Sequence, residues 1–407
     1  MPKGTGRDAV SVRGHNLRIL LEYVHRFGPT TRAQLGEITG LTRSAVGDLV
    51  AELTAREFVL ESGVNGRAGR GRPSLLVKPD SRAKVLAISI RAETLRVAWV
   101  GLGGAVEAVT EVPHEYVPDD PGPSIDQLAK LVGSQLDAAV VRPLAVGLAV
   151  PGLVRAADGV VALAPRLGWR ELSLAKELRR RTKLEVPVVA GNDSNLAALA
   201  EHLRGAGRGH GDMVYLEAGL GVGGGIIYND RPLPTAMPAG SGIGHMVTNP
   251  NGPPCYCGGY GCWQTQVGGE ALLQHAGIAP SAARDRRSDL TALLSRADRD
   301  DPAAVVALAA LVPAIAAGIA TLLAVFEPDQ IILDGVFASV LRHCEEPLRA
   351  AIAGHRPVLS TDQVELIAAA LGGRAPLLGA AETAIHAFLN QLVPYVERIR
   401  VPETIGL

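Results

Sequence analysis

Four side chains of the metal-ligand type, His245, Cys255, Cys257 and Cys262, lie within eighteen residues in the stretch HMVTNPNGPPCYCGGYGC. Three thiolates and one imidazole are a standard set for tetrahedral structural zinc, and an ion held this way contributes folding free energy to the segment that wraps it. The Cys-x-Cys and Cys-x4-Cys spacings are short, and Gly258, Gly259 and Gly261 loosen the backbone enough for one loop to enclose one ion. Three buried thiols beside an unrelated histidine are the alternative. Against it, three of the four cysteines fall within eight residues, and the fourth, Cys344, stands alone. Thiols clustered in this manner favour a metal over a disulfide.

Nothing near the N-terminus is flanked like a signal peptide, and no run of about 18 or more uninterrupted apolar residues occurs. The expectation is a cytoplasmic chain with no membrane partner. At 407 residues and 47% hydrophobic content, two or three folding units are expected. Charge marks the first boundary. Residues 1–80 carry twelve Lys and Arg against eight Asp and Glu, whereas the remainder carries 28 against 33. A basic module fused to a mildly acidic body points to a nucleic-acid contact at one end.

Order along the chain strengthens that reading. Leu17, Leu20, Leu21 and Val24 recur at helical spacing, which predicts an amphipathic helix over residues 13–26, ended by Gly28 and Pro29. A second helix follows, capped by Thr30 or Thr31, with Leu35 and Ile38 facing inward and Gly40 breaking it. In the third, Val46, Leu49, Val50 and Leu53 form the inward stripe and leave Thr42, Arg43 and Ser44 on the outer face. This is the helix-turn-helix plan, in which the start of the last helix enters the major groove of double-stranded DNA. Phe58, Val59 and Leu60 then open a strand that returns at 75–77, a winged hairpin. Its tip carries Arg67, Arg70 and Arg72, whose guanidinium groups suit a narrow minor groove. For the tip alone, a flexible basic linker is the alternative.

From about residue 83 the segments VLAISIRA, LRVAWVGL, LAVGLAVPG and VPVVAG read as buried strands, with a helix over 125–141 between them. Such alternation implies an α/β body. LGVGGGIIYNDRP predicts a hairpin with strands at 213–217 and 225–228 about a turn built on Gly219, Gly221, Gly223 and Gly224. Ala-rich helices fill 301–325, followed by a strand, IILDG, and a closing helix, LLGAAETAIHAFL.

Nearly the whole chain resembles the ROK family, whose members are sugar kinases or sugar-responsive transcription regulators with an added winged helix-turn-helix. The resemblance is carried by GRGRPS (69–74), GLAVPGLV (147–154), GNDSNLAALAE (191–201), GVGGGII (221–227), GIGHM (242–246), CYCGGYGCW (255–263) and FEPDQIILDG (326–335). It implies a winged helix-turn-helix over residues 1–80 and a two-lobed actin-like, hexokinase-type (ribonuclease H-like) effector-binding and dimerisation body over 81–407. The lobe boundary is expected near 195, with the C-terminal helix returning to the first lobe. The resemblance also puts Asn192 and Asp193 in a sugar site between the lobes, His245 on the metal at its wall, and Gln264 within reach of the ligand. In the kinases the equivalent of Asp193 is the general base that activates the attacking hydroxyl. Read from the residues alone, Asn192-Asp193-Ser194-Asn195 is equally a helix cap, and His245 is either a metal ligand or a sugar contact.

Three departures from the family pattern bear on activity. Gly242 and Gln264 stand where the family carries glutamates, which removes two strong acceptors for sugar hydroxyls. Ser89, Ile90, Arg91, Ala92 and Glu93 replace the Asp, two glycines and Thr of the first phosphate-binding hairpin. The acid that organises Mg²⁺ is lost there, and Glu93 faces a polyphosphate with like charge. Asp334 and Gly335 replace a late Gly-Gly pair. The expectation is a non-catalytic body with Asp193 a vestigial base: a sugar-responsive DNA-binding repressor, homodimeric or homotetrameric, on a palindromic operator. An active sugar kinase tethered to DNA and a ligand-blind dimeric DNA binder are the alternatives.

Overall fold

The structure, a computed structural model, describes residues 9–63, 75–155, 157–233, 239–280, 285–355 and 364–392. The N-terminal unit is built from α1 (Ala9–Phe27), β1 (Thr30–Thr31), α2 (Arg32–Thr39), α3 (Arg43–Ala55), β2 (Val59–Gly63) and β3 (Leu75–Pro79). Local chemistry sets each boundary. Thr31 and Gln34 form a reciprocal capping box at the start of α2, Gly40 ends it in the left-handed region at φ 68°, and the Thr42 hydroxyl caps α3 by accepting from the Ala45 amide. Strands β2 and β3 pair antiparallel from Val59–Pro79 to Gly63–Leu75, and β1 adds to β3, giving a winged three-helix arrangement.

One expected core position is wrong. Ile38 is 47% exposed, because α2 stops one residue later and the turn at Gly40 brings Leu41 onto the core in its place. The wing tip with Arg67, Arg70 and Arg72 falls in residues 64–74, outside the described residues.

The body contains two five-stranded sheets of one plan. The first is formed by β4 (Lys84–Ile90), β5 (Thr94–Gly101), β6 (Val106–Pro113), β7 (Val146–Val150) and β11 (Val188–Asn192), in the order β11-β7-β4-β5-β6. Between these come α4 (Gly122–Ala138), a small sheet of β8 (Leu153–Val154), β9 (Val161–Ala164) and β10 (Trp169–Leu172), and α5 (Leu174–Thr182). Helix α6 (Asp193–Arg204) then leads to β12 (Met213–Ala218), β13 (Val222–Tyr228), β14 (Arg231–Pro232) and a 3-10 turn (Ala239–His245). Helices α7 (Gln264–Val267), α8 (Gly269–His275), α9 (Arg286–Ala297), α10 (Pro302–Ala309) and α11 (Val312–Phe326) precede β15 (Gln330–Gly335), α12 (Val336–His355), β16 (Glu365–Ala368) and α13 (Ala375–Asn390). The second sheet runs β14-β13-β12-β15-β16. In both, a three-stranded antiparallel meander is extended by two parallel strands. The parallel strands are covered on both faces, which is why residues 85–88 of β4 and the whole of β7 read as apolar runs.

Two helices pack closely enough to dictate glycines. A Cβ at Gly379 of α13 would lie 1.9 Å from the Leu196 carbonyl oxygen of α6, and one at Gly223 of β13 would lie 2.1 Å from Ser194 Oγ. Gly223 and Gly224 therefore belong to a strand rather than to the turn expected there: α6 lies across Gly223, while a Cβ at Gly224 would meet the Tyr215 carbonyl oxygen of β12 at 2.6 Å. Helix α13, the last element among the described residues, packs on β4 and β7 of the first sheet and on α6. Among the described residues no single helix is long and apolar enough to cross a membrane.

Adding a methyl group at the α6–α13 contact overpacks it. Gly379→Ala is expected to lower stability by about 1–3 kcal/mol, read as an earlier urea midpoint with an unchanged slope.

Candidate metal centre and ligand cleft

The metal-type side chains converge. One ligand atom from each of His245, Cys255, Cys257 and Cys262 lies within 4.8 Å of the other three. The Cys257 and Cys262 sulfurs are 3.6 Å apart, as are Cys255 Sγ and His245 Nδ1. Zinc–sulfur bonds of ~2.3 Å at tetrahedral angles set ligand–ligand edges of ~3.8 Å, so this separation fits a shared ion. A disulfide would need ~2.05 Å. Burial lowers the pKa of His245, which keeps the imidazole neutral and available as a ligand.

Backbone contacts hold the loop in this shape. The Cys255 amide donates to the Gly259 carbonyl at 2.8 Å and the Gly258 amide to the Cys255 carbonyl at 3.0 Å. Gly261, at φ +65°, passes so near Asn249 that a Cβ would sit 1.6 Å from its carbonyl oxygen. Trp263 follows the last ligand, fully buried, stacked on Phe337 of α12 and donating its indole N–H to the Ala314 carbonyl of α11. The cluster is thereby anchored to the second lobe. Gln264 lies behind it, 5% exposed, donating to Cys255 Sγ at 2.9 Å and accepting from the Val222 amide at 3.4 Å. Both ends of its amide are engaged in supporting the metal loop, a second-layer role of the kind that orients metal ligands. Gly242 is exposed, with nothing within 4 Å of where a Cβ would stand.

Asn192 ends β11 and caps α6. Its Oδ1 accepts from the Asn195 amide at 2.9 Å and its Nδ2 donates to the Gly152 carbonyl at 2.8 Å, so the cap also fastens the loop after β7. Asp193 uses only Oδ1, accepting from the Ser194 amide at 2.8 Å; among the described residues Oδ2 has no partner. Burial pushes the Asp193 carboxyl up and the charge of Arg91 opposes it. Reasoning from the sequence missed a second acid, Glu217 of β12. Burial raises it to about 7 against the pull of Arg91, with Asp193 and Asp334 adding repulsion. The available signal was a lone acid in the otherwise apolar strand MVYLEA. Asp334 in turn accepts from the Tyr215 hydroxyl at 2.8 Å.

Cations answer these acids from both lobes. Arg91 stands in the β4–β5 turn, and Arg287 of α9 reaches across to Glu93 of the same turn at 3.3 Å. Burial lowers the Arg287 pKa; Glu93 opposes this, while Arg91 and Arg166 add to it. At the other end of α6, Arg204 donates through Nε to Glu382 Oε1 of α13 at 2.8 Å and through Nη2 to the His25 carbonyl of α1 at 3.1 Å. His25 Nε2 lies 2.7 Å from Glu382 Oε2, and the Gly103 amide donates to its Nδ1 at 2.8 Å. Burial alone would raise Glu382, but the charges and hydrogen bonds of His25 and Arg204 hold it down at about 2. Thr42, Arg43 and Ser44 are exposed at the start of α3.

The ROK family model matches residues 85–387, and the chain belongs to the ROK family. It is 25% identical over 388 residues to the xylose repressor of Bacillus subtilis (strain 168), covering 95% of this chain and 98% of the repressor. It is 30% identical over 319 residues to the glucokinase of Streptomyces coelicolor, covering 74% of this chain and 96% of the kinase. Among solved structures, a ROK family transcriptional regulator, a homologue of the E. coli MLC protein, superposes with a TM-score of 0.78 at 23% identity over 95% of this chain and all of that one. The fold is that of a two-lobed ROK protein with an N-terminal winged three-helix unit, and its relatives include both repressors and kinases.

Two outcomes test the site. Cys257→Ser should lose bound metal by elemental analysis and melt earlier than the parent, since a closed site contributes to folding. Glu217 titrates higher in the fold than unfolded, so the native state holds the extra proton between the ordinary carboxylate range and about 7. Its contribution to stability falls as pH rises through that window. Comparing melting temperatures from pH 4.5 to 7, Glu217→Gln should therefore gain on the parent as pH rises.

Proposed function

We propose that the chain is a sequence-specific DNA-binding transcriptional repressor whose body senses a sugar or sugar-derived effector without phosphorylating it. One observation carries this reading: the winged unit is fastened by the buried His25–Glu382–Arg204 cluster to the far end of the helix whose near end presents Asp193. Twelve residues of α6 span about 18 Å. A change in cleft geometry at Asp193 is thereby delivered to the last turn of α1, and so to the exposed Thr42, Arg43 and Ser44 that face the major groove. Arg67, Arg70 and Arg72 of the wing tip are assigned to the DNA backbone and minor groove.

The similarity pattern supports the repressor over the kinase. Similarity to the xylose repressor runs the length of the chain, while similarity to the glucokinase covers 74% of it. The cleft supports it too. Arg91 and the Glu93–Arg287 ion pair occupy the turn where polyphosphate would need bare amides, and Glu93 would repel it. Asp193 keeps an open Oδ2, which suits a hydroxyl of the effector as well as it would a phosphoryl acceptor. Zinc on His245, Cys255, Cys257 and Cys262 is structural in this reading, a cross-link that stiffens the cleft wall. Asn192, Asp193 and His245 line the effector side, and Gln264 serves through the metal loop. The units run 1–80 and 81–407, the lobes parting near 195, and a homodimer or homotetramer reads a palindromic duplex in the cytoplasm.

A selection from random duplexes should return a two-fold symmetric site. Effector binding should then weaken that complex by about 5- to 150-fold, and DNA should weaken effector binding by the same factor. Operator affinity unchanged across a broad panel of sugars would remove the sensor half. ADP release from ATP and a sugar, abolished by Asp193→Asn, would make the protein a kinase instead.

A further inference from the structure

A cavity of about 380 Å³ opens beside the metal loop. Asp119, Pro165, Arg166, Gly168 and Arg170 line it from the first lobe, and Tyr256 closes it from the second. Its volume falls in the range of small-molecule sites. The walls are fixed. Tyr256 lies between two metal-type cysteines, its ring edge-on to His245 at 5.4 Å, and is 61% exposed. Arg166 lies on the β9–β10 turn and Arg170 near the start of β10, a corner pinned by the buried Leu167 and Trp169 and closed by the Leu167 amide donating to the Ala164 carbonyl. Gly168 is at φ +70°, where a Cβ would strike the Asp119 amide nitrogen at 2.4 Å.

The same turn is joined to the Asp193 end of α6. Asn192 holds the Gly152 carbonyl, and Gly152 passes so close to β9 that a Cβ would sit 2.3 Å from the Leu163 carbonyl oxygen. The cavity therefore adjoins the cleft already described. Arg166 and Tyr256 face each other across this cavity as two of its lining residues.

Among the described residues neither Arg166 nor Arg170 makes an ion pair or a hydrogen bond, although Arg155, Arg180 and Arg181 in the same lobe all do. Two unengaged guanidinium forks on one cavity wall match the geometry of a phosphate or carboxylate. Asp119, the one acid in the lining, offers an acceptor for a hydroxyl, and the Tyr256 face an apolar platform for a sugar ring.

We infer that this cavity receives an anionic group of the effector, held by Arg166 and Arg170, so that the effector is a sugar phosphate or a sugar acid. This rests on the effector-sensing reading above and narrows it from sugars in general to anionic ones.

The test uses the full chain and calorimetric titration with four probes for each sugar: the neutral sugar, its phosphate ester, its carboxylate, and inorganic phosphate alone. One of the two anionic forms should bind at least about tenfold more tightly than the neutral parent, and which one does so separates phosphate from carboxylate. Arg166→Ala with Arg170→Ala should erase that preference while leaving metal content and DNA affinity unchanged, and Arg166→Lys should retain part of it. Equal affinity for neutral and anionic forms, or a preference that survives the double substitution, overturns the inference and leaves the sensor reading standing. Binding of no sugar at all, with DNA still bound, overturns both.

Discussion

The packing of α6 between two glycine-bearing surfaces is the constraint on which the rest of the structure depends. Its Leu196 carbonyl lies where only hydrogen fits at Gly379, and its Ser194 side chain lies where only hydrogen fits at Gly223. Interiors packed this closely move as units rather than deform. The helix cannot shift against the first lobe or the second without moving β13 or α13. Each of its ends is also committed chemically: Asn192 and Asp193 at the first turn, Arg204 at the last. Arg204 satisfies the carbonyls of His25 and Arg26, which helix α1 would otherwise leave unpaired at its C-terminus. Removing either the guanidinium or the imidazole from this buried carboxylate would leave it short of a partner, which is costly, so the joint between α1, α6 and α13 holds as one body.

Charge within the cleft follows a similar logic. Asp193 and Asp334 both act on Glu217 across the floor, and in isolation such a set would resist ionising together. Arg91 and Arg287 supply the compensating charge from within the chain, one from each lobe. The ion pair between Glu93 and Arg287 also spans the lobes, so its length registers their separation directly. Closure and charge balance are the same variable at this point of the structure.

Legibility in the sequence tracked how local each feature is. The three N-terminal helices announced themselves because capping threonines, a left-handed glycine and a regular apolar spacing all act within a few residues. The metal cluster did so because its four ligands fall in one loop. The β8–β10 sheet went unnoticed, since strands of two to four residues carry no measurable alternation. Gly223 and Gly224 were read as turn residues because glycine marks turns in a single sequence, whereas helix α6 constrains the first and strand β12 the second. Ile38 obeyed helical periodicity but lost its place to Leu41 across the turn. The His25–Glu382–Arg204 cluster joins residues separated by 178 and 357 positions, and no local pattern reports such a pairing.

The two lobes are built differently around the cleft, and among the described residues the metal-type cluster lies on the second. The first lobe meets the winged unit through buried ionic and apolar contacts, so its geometry is already tied to α1. The second lobe reaches the cleft through a loop that carries almost no regular structure between residues 246 and 263. Such a loop would ordinarily be the softest part of the wall, and a soft wall would absorb a ligand's push instead of passing it on. An ion held by His245, Cys255, Cys257 and Cys262, backed by Gln264 and by Trp263 wedged against α11 and α12, would convert that loop into a rigid face. Under the proposed sensing function, a ligand pressed between Tyr256 and the β9–β10 turn would then meet stiffness on both sides, and the remaining freedom would be the angle between the lobes. That angle is what α6 would carry to the winged unit.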